Sequence, residues 1–176
     1  GLCTCFPEWP LFSAIKQLQE EMGPFHNSSD IDCHSFSTAA PFNLGITIMG
    51  YGLSLASSSG MRHALPHKAI SIMGDGGFWH NGLTSGVTSA VFNGHDGLLI
   101  IIDNGYSAAT GGQDIPSLVE PNLIASTIDA PRPQREQWQN IEDACRGAGV
   151  DWLQTVSTYN IEAMKSTLLK ALTTDA

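Results

Sequence analysis

Apolar residues recur at intervals of three and four from Leu11 and Phe12 through Ile15 and Leu18 to Met22. That is the spacing of one helical face, and it predicts a helix over 10–22 ended by Gly23-Pro24. A polar turn is expected at Asn27-Ser28-Ser29, followed by a short segment around Ile31 and Cys33. The stretch from Asn43 to Met61 is crowded with Gly45, Gly50, Gly52, Ala56 and several serines. Small residues in such density predict a helix packed closely against another backbone.

The centre of the chain is more informative. Lys68 to Met73 reads as a buried strand stopped by Gly74-Asp75-Gly76-Gly77, and Leu83 to Phe92 as a helix of small and apolar residues. Leu98 to Ile102 is an unbroken apolar run stopped by Asp103-Asn104-Gly105. Two apolar strands joined by one helix predict a parallel βαβ unit with a covered sheet and a right-handed crossover. Gly105 to Pro133 has no period and reads as a long loop whose first half is functional. Beyond it, the pattern predicts a helix over Glu136–Arg146, a strand over Trp152–Val156 and a helix over Ile161–Leu172. The alternation is that of an α/β fold, a mostly parallel central sheet with helices on both faces.

The length of 176 residues suits one domain spanning 1–176. Charged residues make up only 14%, against about 25% in an ordinary soluble domain, so a partner is expected to cover part of the surface. The formal net charge of −9 argues against nucleic acid or anionic membranes, both of which need clustered Lys and Arg. An anionic ligand here requires a cation or backbone N–H groups. No apolar run approaches the ~18 residues of a membrane span, and Gly1 to Pro10 lacks a leader pattern, which together read as a cytoplasmic protein. The chain starts without Met and reads as a piece of a longer polypeptide. Cys3, Cys5, Cys33 and Cys145 are too few and too irregular for a disulfide scaffold.

Ligands of open parallel sheets bind at the carboxyl ends of the strands, and Asp75 and Asn104 each follow a buried strand directly. A carboxylate, a carboxamide and backbone carbonyls are hard oxygen donors that suit Mg²⁺ or Ca²⁺ and not zinc. One charged ligand leaves such an ion under-coordinated, and Mg²⁺ commonly completes its octahedron with water and phosphate oxygens, so a diphosphate is the natural missing ligand. Gly74, Gly76 and Gly77 would let backbone N–H groups approach it. A Gly-Asp-Gly turn alone is more often just a turn.

Gly74-Asp75-Gly76, with Asn104 placed 29 positions after the aspartate, resembles the thiamine diphosphate motif. The run Asp103-Asn104-Gly105-Tyr106-Ser107-Ala108-Ala109-Thr110-Gly111-Gly112-Gln113 looks like the same segment of the 2-oxoacid:ferredoxin oxidoreductases. Phe78-Trp79-His80-Asn81-Gly82-Leu83 and Asp30-Ile31-Asp32-Cys33-His34 are most similar to the indolepyruvate ferredoxin oxidoreductase α-subunit family. The resemblance implies a three-layer diphosphate-binding domain with side-chain Mg²⁺ ligands Asp75 and Asn104 and the backbone carbonyl of Tyr106 as a third. Gly74, Gly76, Gly77, Thr110, Gly111, Gln113, Cys33 and His34 would lie beside the cofactor. It further implies oxidative decarboxylation of a 2-oxoacid, an arylpyruvate such as indolepyruvate, to an acyl-CoA with electrons passed to ferredoxin. The partner would be a pyrimidine-binding domain or subunit of the same enzyme, in a homo- or hetero-oligomer, because a glutamate that activates the cofactor comes from a different domain and no motif for it is present here.

His80 is a candidate acid, base or carboxylate-binding group, since imidazole titrates near neutral pH; the plainer reading is a histidine that caps the next helix. Cys33 is as well read as packing. Cys3-Thr4-Cys5-Phe6 departs from the Cys-x-x-Cys of related oxidoreductases, which puts an iron–sulfur cluster elsewhere in the parent enzyme. Trp9, Phe12, Trp138 and Trp152 read as core or interface. Two rival functions stay open: a non-oxidative 2-oxoacid decarboxylase or acetolactate synthase-like domain, and a non-catalytic domain that binds the cofactor for stability.

Overall fold

A computed structural model describes residues 6–45, 47–61, 64–117 and 139–174. In chain order the elements are α1 (Glu8–Met22), β1 (Asn27–Ser29), a 3₁₀ helix (Cys33–Thr38), β2 (Thr47–Ile48), α2 (Ser54–Ser59) and β3 (Ile70–Gly74). Asp75–Gly77, the π-helical Phe78–Val87 and Thr88–Asn93 then run on as one helix, α3, followed by β4 (Leu98–Ile102), α4 (Ile141–Gly147) and α5 (Ile161–Thr173).

Four parallel strands pair in the order β2-β1-β3-β4. Register explains the layers, because alternate residues of a strand face opposite sides. Ile70 and Ile72 of β3 and Leu98 and Ile102 of β4 join Leu11, Phe12, Ile15 and Leu18 of α1 and Met164 and Leu168 of α5. Met73, Leu99 and Ile101 point the other way, against Leu55 of α2, Phe78 and Val87 of α3 and Cys145 of α4. The result is the expected three-layer α/β domain, with all carboxyl ends of the strands along one edge.

Several local expectations need correction. Asn27-Ser28-Ser29 is not a turn; it is a central strand, wholly buried between β2 and β3. Asn43–Met61 is helical only over Ser54–Ser59, because its earlier part forms β2 and a turn at Gly50 and Gly52, both with positive φ. Gly74-Asp75-Gly76-Gly77 does not separate strand from helix; Asp75 is already helical, so α3 starts eight residues before Leu83. Trp152–Val156 forms no strand. Its side chains reach both cores, yet its backbone joins none of the four paired strands. The predicted Glu136 helix occurs as α4, and residues 118–138, including Trp138 and the second half of the long loop, lie outside the described residues. Among the described residues, no helix is long and apolar enough to cross a membrane.

Candidate functional site

The junction of β3 and β4 places Asp75 at the carboxyl end of one strand and Asn104 just past the end of its neighbour. Asp75 is buried, and its carboxylate binds both strand tips. Its Oδ2 accepts hydrogen bonds from the N–H of Asn104 at 2.9 Å and of Gly105 at 2.7 Å, and its Oδ1 from the N–H of Gly76 at 2.7 Å. Burial pushes the carboxyl up to about 6 despite these three donors, and a hydrogen bond with Asp103 pushes the same way. Asn104 turns its own Oδ1 onto the N–H of Tyr106 at 3.2 Å.

The loop that follows closes on itself. The Ser107 N–H donates to the Gln113 carbonyl at 2.9 Å and the Gly112 N–H to the Ser107 carbonyl at 3.0 Å. Thr110 and Gln113 bond to each other, the Gln113 amide donating to the Thr110 carbonyl at 2.6 Å. Gly111 has φ +108° with nothing within 4 Å of an added Cβ. Thr110, Gly111 and Gln113 are exposed beside the strand tips.

Gly76 and Gly77 are needed for contact rather than for turning, since Gly77 is helical at φ −63°. A Cβ on Gly77 would lie 2.5 Å from Asp30 Oδ2. Asp30, wholly buried, accepts from the N–H of Gly52 at 2.5 Å and of Ser54 at 2.8 Å, and burial pushes its carboxyl up. Residue types alone did not single out Asp30 as a structural hub, since it depends on chain segments 22 and 24 positions apart.

Other predicted residues divide. His80 is exposed on α3, with its ring 5.3 Å from that of Tyr51. His34 is enclosed, its Nδ1 3.3 Å from Glu8 Oε1 and its Cε1 3.8 Å from where a Gly74 Cβ would sit. His34 Nε2 and Glu8 Oε2 have no partner among the described residues. Cys33 is half-buried at the start of the 3₁₀ helix, and Cys3 and Cys5 lie outside the described residues. Ile31, Ile48, Met49 and Tyr106 are exposed along the carboxyl edge of the sheet, at 59%, 42%, 51% and 36%. Among the described residues no three His, Cys, Asp or Glu side chains gather as a metal site, so any ion here depends on amide and carbonyl oxygens beside Asp75.

The family described as "Thiamine pyrophosphate enzyme, C-terminal TPP binding domain" matches residues 30–176. The chain belongs to that family. Its sequence is 33% identical over 175 residues to indolepyruvate oxidoreductase subunit IorA of Archaeoglobus fulgidus, covering 99% of this chain and 26% of the relative. It is 27% identical over 176 residues to the subunit of the same name from Methanothermobacter marburgensis, covering 98% and 27%. This TPP-binding chain therefore spans about a quarter of the length of those relatives. In fold it is similar to a solved 2-oxoglutarate:ferredoxin oxidoreductase from Magnetococcus marinus, with a TM-score of 0.81 at 16% identity, over 100% of this chain and 60% of the other.

Proposed function

We propose that the chain holds the diphosphate of thiamine diphosphate through Mg²⁺ at the β3–β4 tips, as part of an enzyme that oxidatively decarboxylates an arylpyruvate such as indolepyruvate to an acyl-CoA. Ferredoxin takes the electrons. The observation that carries this reading is the buried Asp75 carboxylate bonded to the backbone of Asn104 and Gly105, which makes the two candidate ligands one unit.

The residues present fit the group. Burial raises the Asp75 carboxyl, so a divalent cation beside it would draw its proton affinity back down. Asp75, Asn104 and the Tyr106 carbonyl supply only oxygen donors, few enough that diphosphate oxygens and water complete an octahedron. Gly74, Gly76 and Gly77 would let the backbone approach the diphosphate, and Thr110, Gly111, Gln113, Cys33 and His34 would lie beside the cofactor, His34 Cε1 being 3.8 Å from where a Gly74 Cβ would sit. The cofactor, when bound, supplies carbanion chemistry as an ylid. His80, exposed beside the tips, would hold or move a proton of the substrate.

The relatives' names support the oxidoreductase reading over a non-oxidative decarboxylase. Exposed Ile31, Ile48, Met49 and Tyr106 support burial of this edge by a pyrimidine-binding domain or partner subunit. The test is calorimetric titration of the full-length protein with Mg²⁺ and thiamine diphosphate, in which Asp75→Ala should abolish binding. Unchanged affinity in that variant refutes the assignment.

A further inference from the structure

Tyr51 lies between Gly50 and Gly52, at φ +45° and +77°, conformations that glycine adopts without strain. The turn is pinned at both ends. The Ile31 N–H donates to the Gly50 carbonyl at 3.1 Å, and Asp30 holds the N–H groups of Gly52 and Ser54. Tyr51 is thereby aimed from a fixed base.

Its hydroxyl is 2.6 Å from Ser107 Oγ. The same hydroxyl rests on the open face of Gly76, where any Cβ would overlap it and would come within 2.9 Å of Ser107 Oγ. Its ring is 5.3 Å from that of His80. One half-buried side chain thus touches the residue directly after Asp75 and the residue three beyond Asn104, the second contact spanning 56 positions of sequence.

We infer that Tyr51 is a positioning residue that holds the start of α3 against the Asn104 loop, its hydroxyl packed on Gly76 and bonded to Ser107, setting the spacing of the ligand pair before a cation arrives. The inference rests on the reading of Asp75 and Asn104 as that pair. A preorganised pair binds more tightly because less ordering remains to be done on binding. The inference also explains the residue at 76, since any side chain there would displace the bridge.

The test is Mn²⁺ binding to the full-length protein with thiamine diphosphate present, followed by electron paramagnetic resonance, in wild type, Tyr51→Phe, Ser107→Ala and the double variant. Phenylalanine keeps the ring beside His80 and removes only the hydroxyl. One hydrogen bond of this kind corresponds to a loss in affinity of about three- to tenfold. Tyr51→Phe and Ser107→Ala should each lose that much and the double variant no more, alongside a fall in the metal-free melting midpoint no larger than one lost hydrogen bond gives. A merely structural tyrosine would leave Mn²⁺ affinity at its wild-type value however far the metal-free midpoint falls, which overturns the inference, as do strictly additive losses. If Asp75→Ala retains wild-type Mn²⁺ affinity, the site reading itself fails, and the role of Tyr51 with it.

Discussion

Replacing Gly77 with alanine sets helix propensity against packing. Gly77 is helical at φ −63° and ψ −40°, and in such a place alanine is favoured by about 1 kcal/mol. Against this, the new Cβ would sit 2.5 Å from Asp30 Oδ2 and 3.3 Å from the Gly52 nitrogen. The carboxylate oxygen that must move is the one that accepts from Gly52 at 2.5 Å, in a wholly buried residue. Overpacking of this kind costs about 1–3 kcal/mol, and weakening a hydrogen bond to a charged group about 1.5–3 kcal/mol more. The packing side wins, with a net loss of about 1.5–5 kcal/mol, or about 3–20 °C in melting midpoint for a domain of this size. Gly147→Ala is the matched control. It is likewise a helical glycine, the last residue of α4, yet nothing lies within 4 Å of its added Cβ, so it should be neutral or stabilising by up to about 1 kcal/mol. Thermal unfolding of the full-length protein measures the midpoints, and amide hydrogen exchange localises the effect, with the Gly52 and Ser54 amides losing protection only in Gly77→Ala. Equal midpoints in the two variants, or unchanged protection at Gly52 and Ser54, would refute the argument.

Phe12→Ala removes a wholly buried ring in edge contact with Phe42 at 5.3 Å and should cost about 3–5 kcal/mol in denaturant unfolding. Burial pushes the Glu8 carboxyl above its ordinary 4.5, with the hydrogen bond and charge of His34 pulling it down and the charge of Asp32 pushing it up. A raised carboxyl stabilises the fold fully below its unfolded value and loses that contribution as pH climbs through the folded one. Wild type should therefore lose midpoint over that window relative to Glu8→Gln; a constant difference across pH would count against it. On the central strands, Ser71→Ala removes a hydroxyl bonded at 2.5 Å to Ser58 and should cost about 0.5–1.5 kcal/mol. Ser28→Ala removes a buried hydroxyl with no partner among the described residues and should leave the denaturation midpoint unchanged or higher.

What was legible along the chain followed from whether a residue's neighbours in sequence are its neighbours in space. Leu98–Ile102 is a strand at its predicted bounds, because an apolar run flanked by turn residues carries its own signal. The face of α5 through Met164, Leu168 and Leu172 is buried as its spacing requires, although Ile161 at its start is exposed. β1 was illegible for the opposite reason. Asn27-Ser28-Ser29 has turn composition, and its burial depends on distant groups, among them the Leu44 carbonyl, which accepts from the Asn27 amide at 2.7 Å. Trp152–Val156 has strand composition, yet a strand also needs a partner within reach of its backbone, which composition does not encode.

The same division runs through the site. Asp75 and Asn104 can be singled out as candidates because each lies within two residues of a strand end, so a local rule about strand ends applies to both. The Asp75 bond to the Asn104 backbone was then a consequence of parallel register, which places Gly74 opposite Ile102. The surrounding support had no such local rule. Asp30 reaches Gly52, Tyr51 reaches Ser107, and Glu8 reaches His34 across 22, 56 and 26 positions. Each joins segments that are neighbours only once the sheet order brings β1 between β2 and β3. The candidate ligands are therefore readable one strand at a time, whereas the rigidity that would make them a binding site is a property of the sheet order.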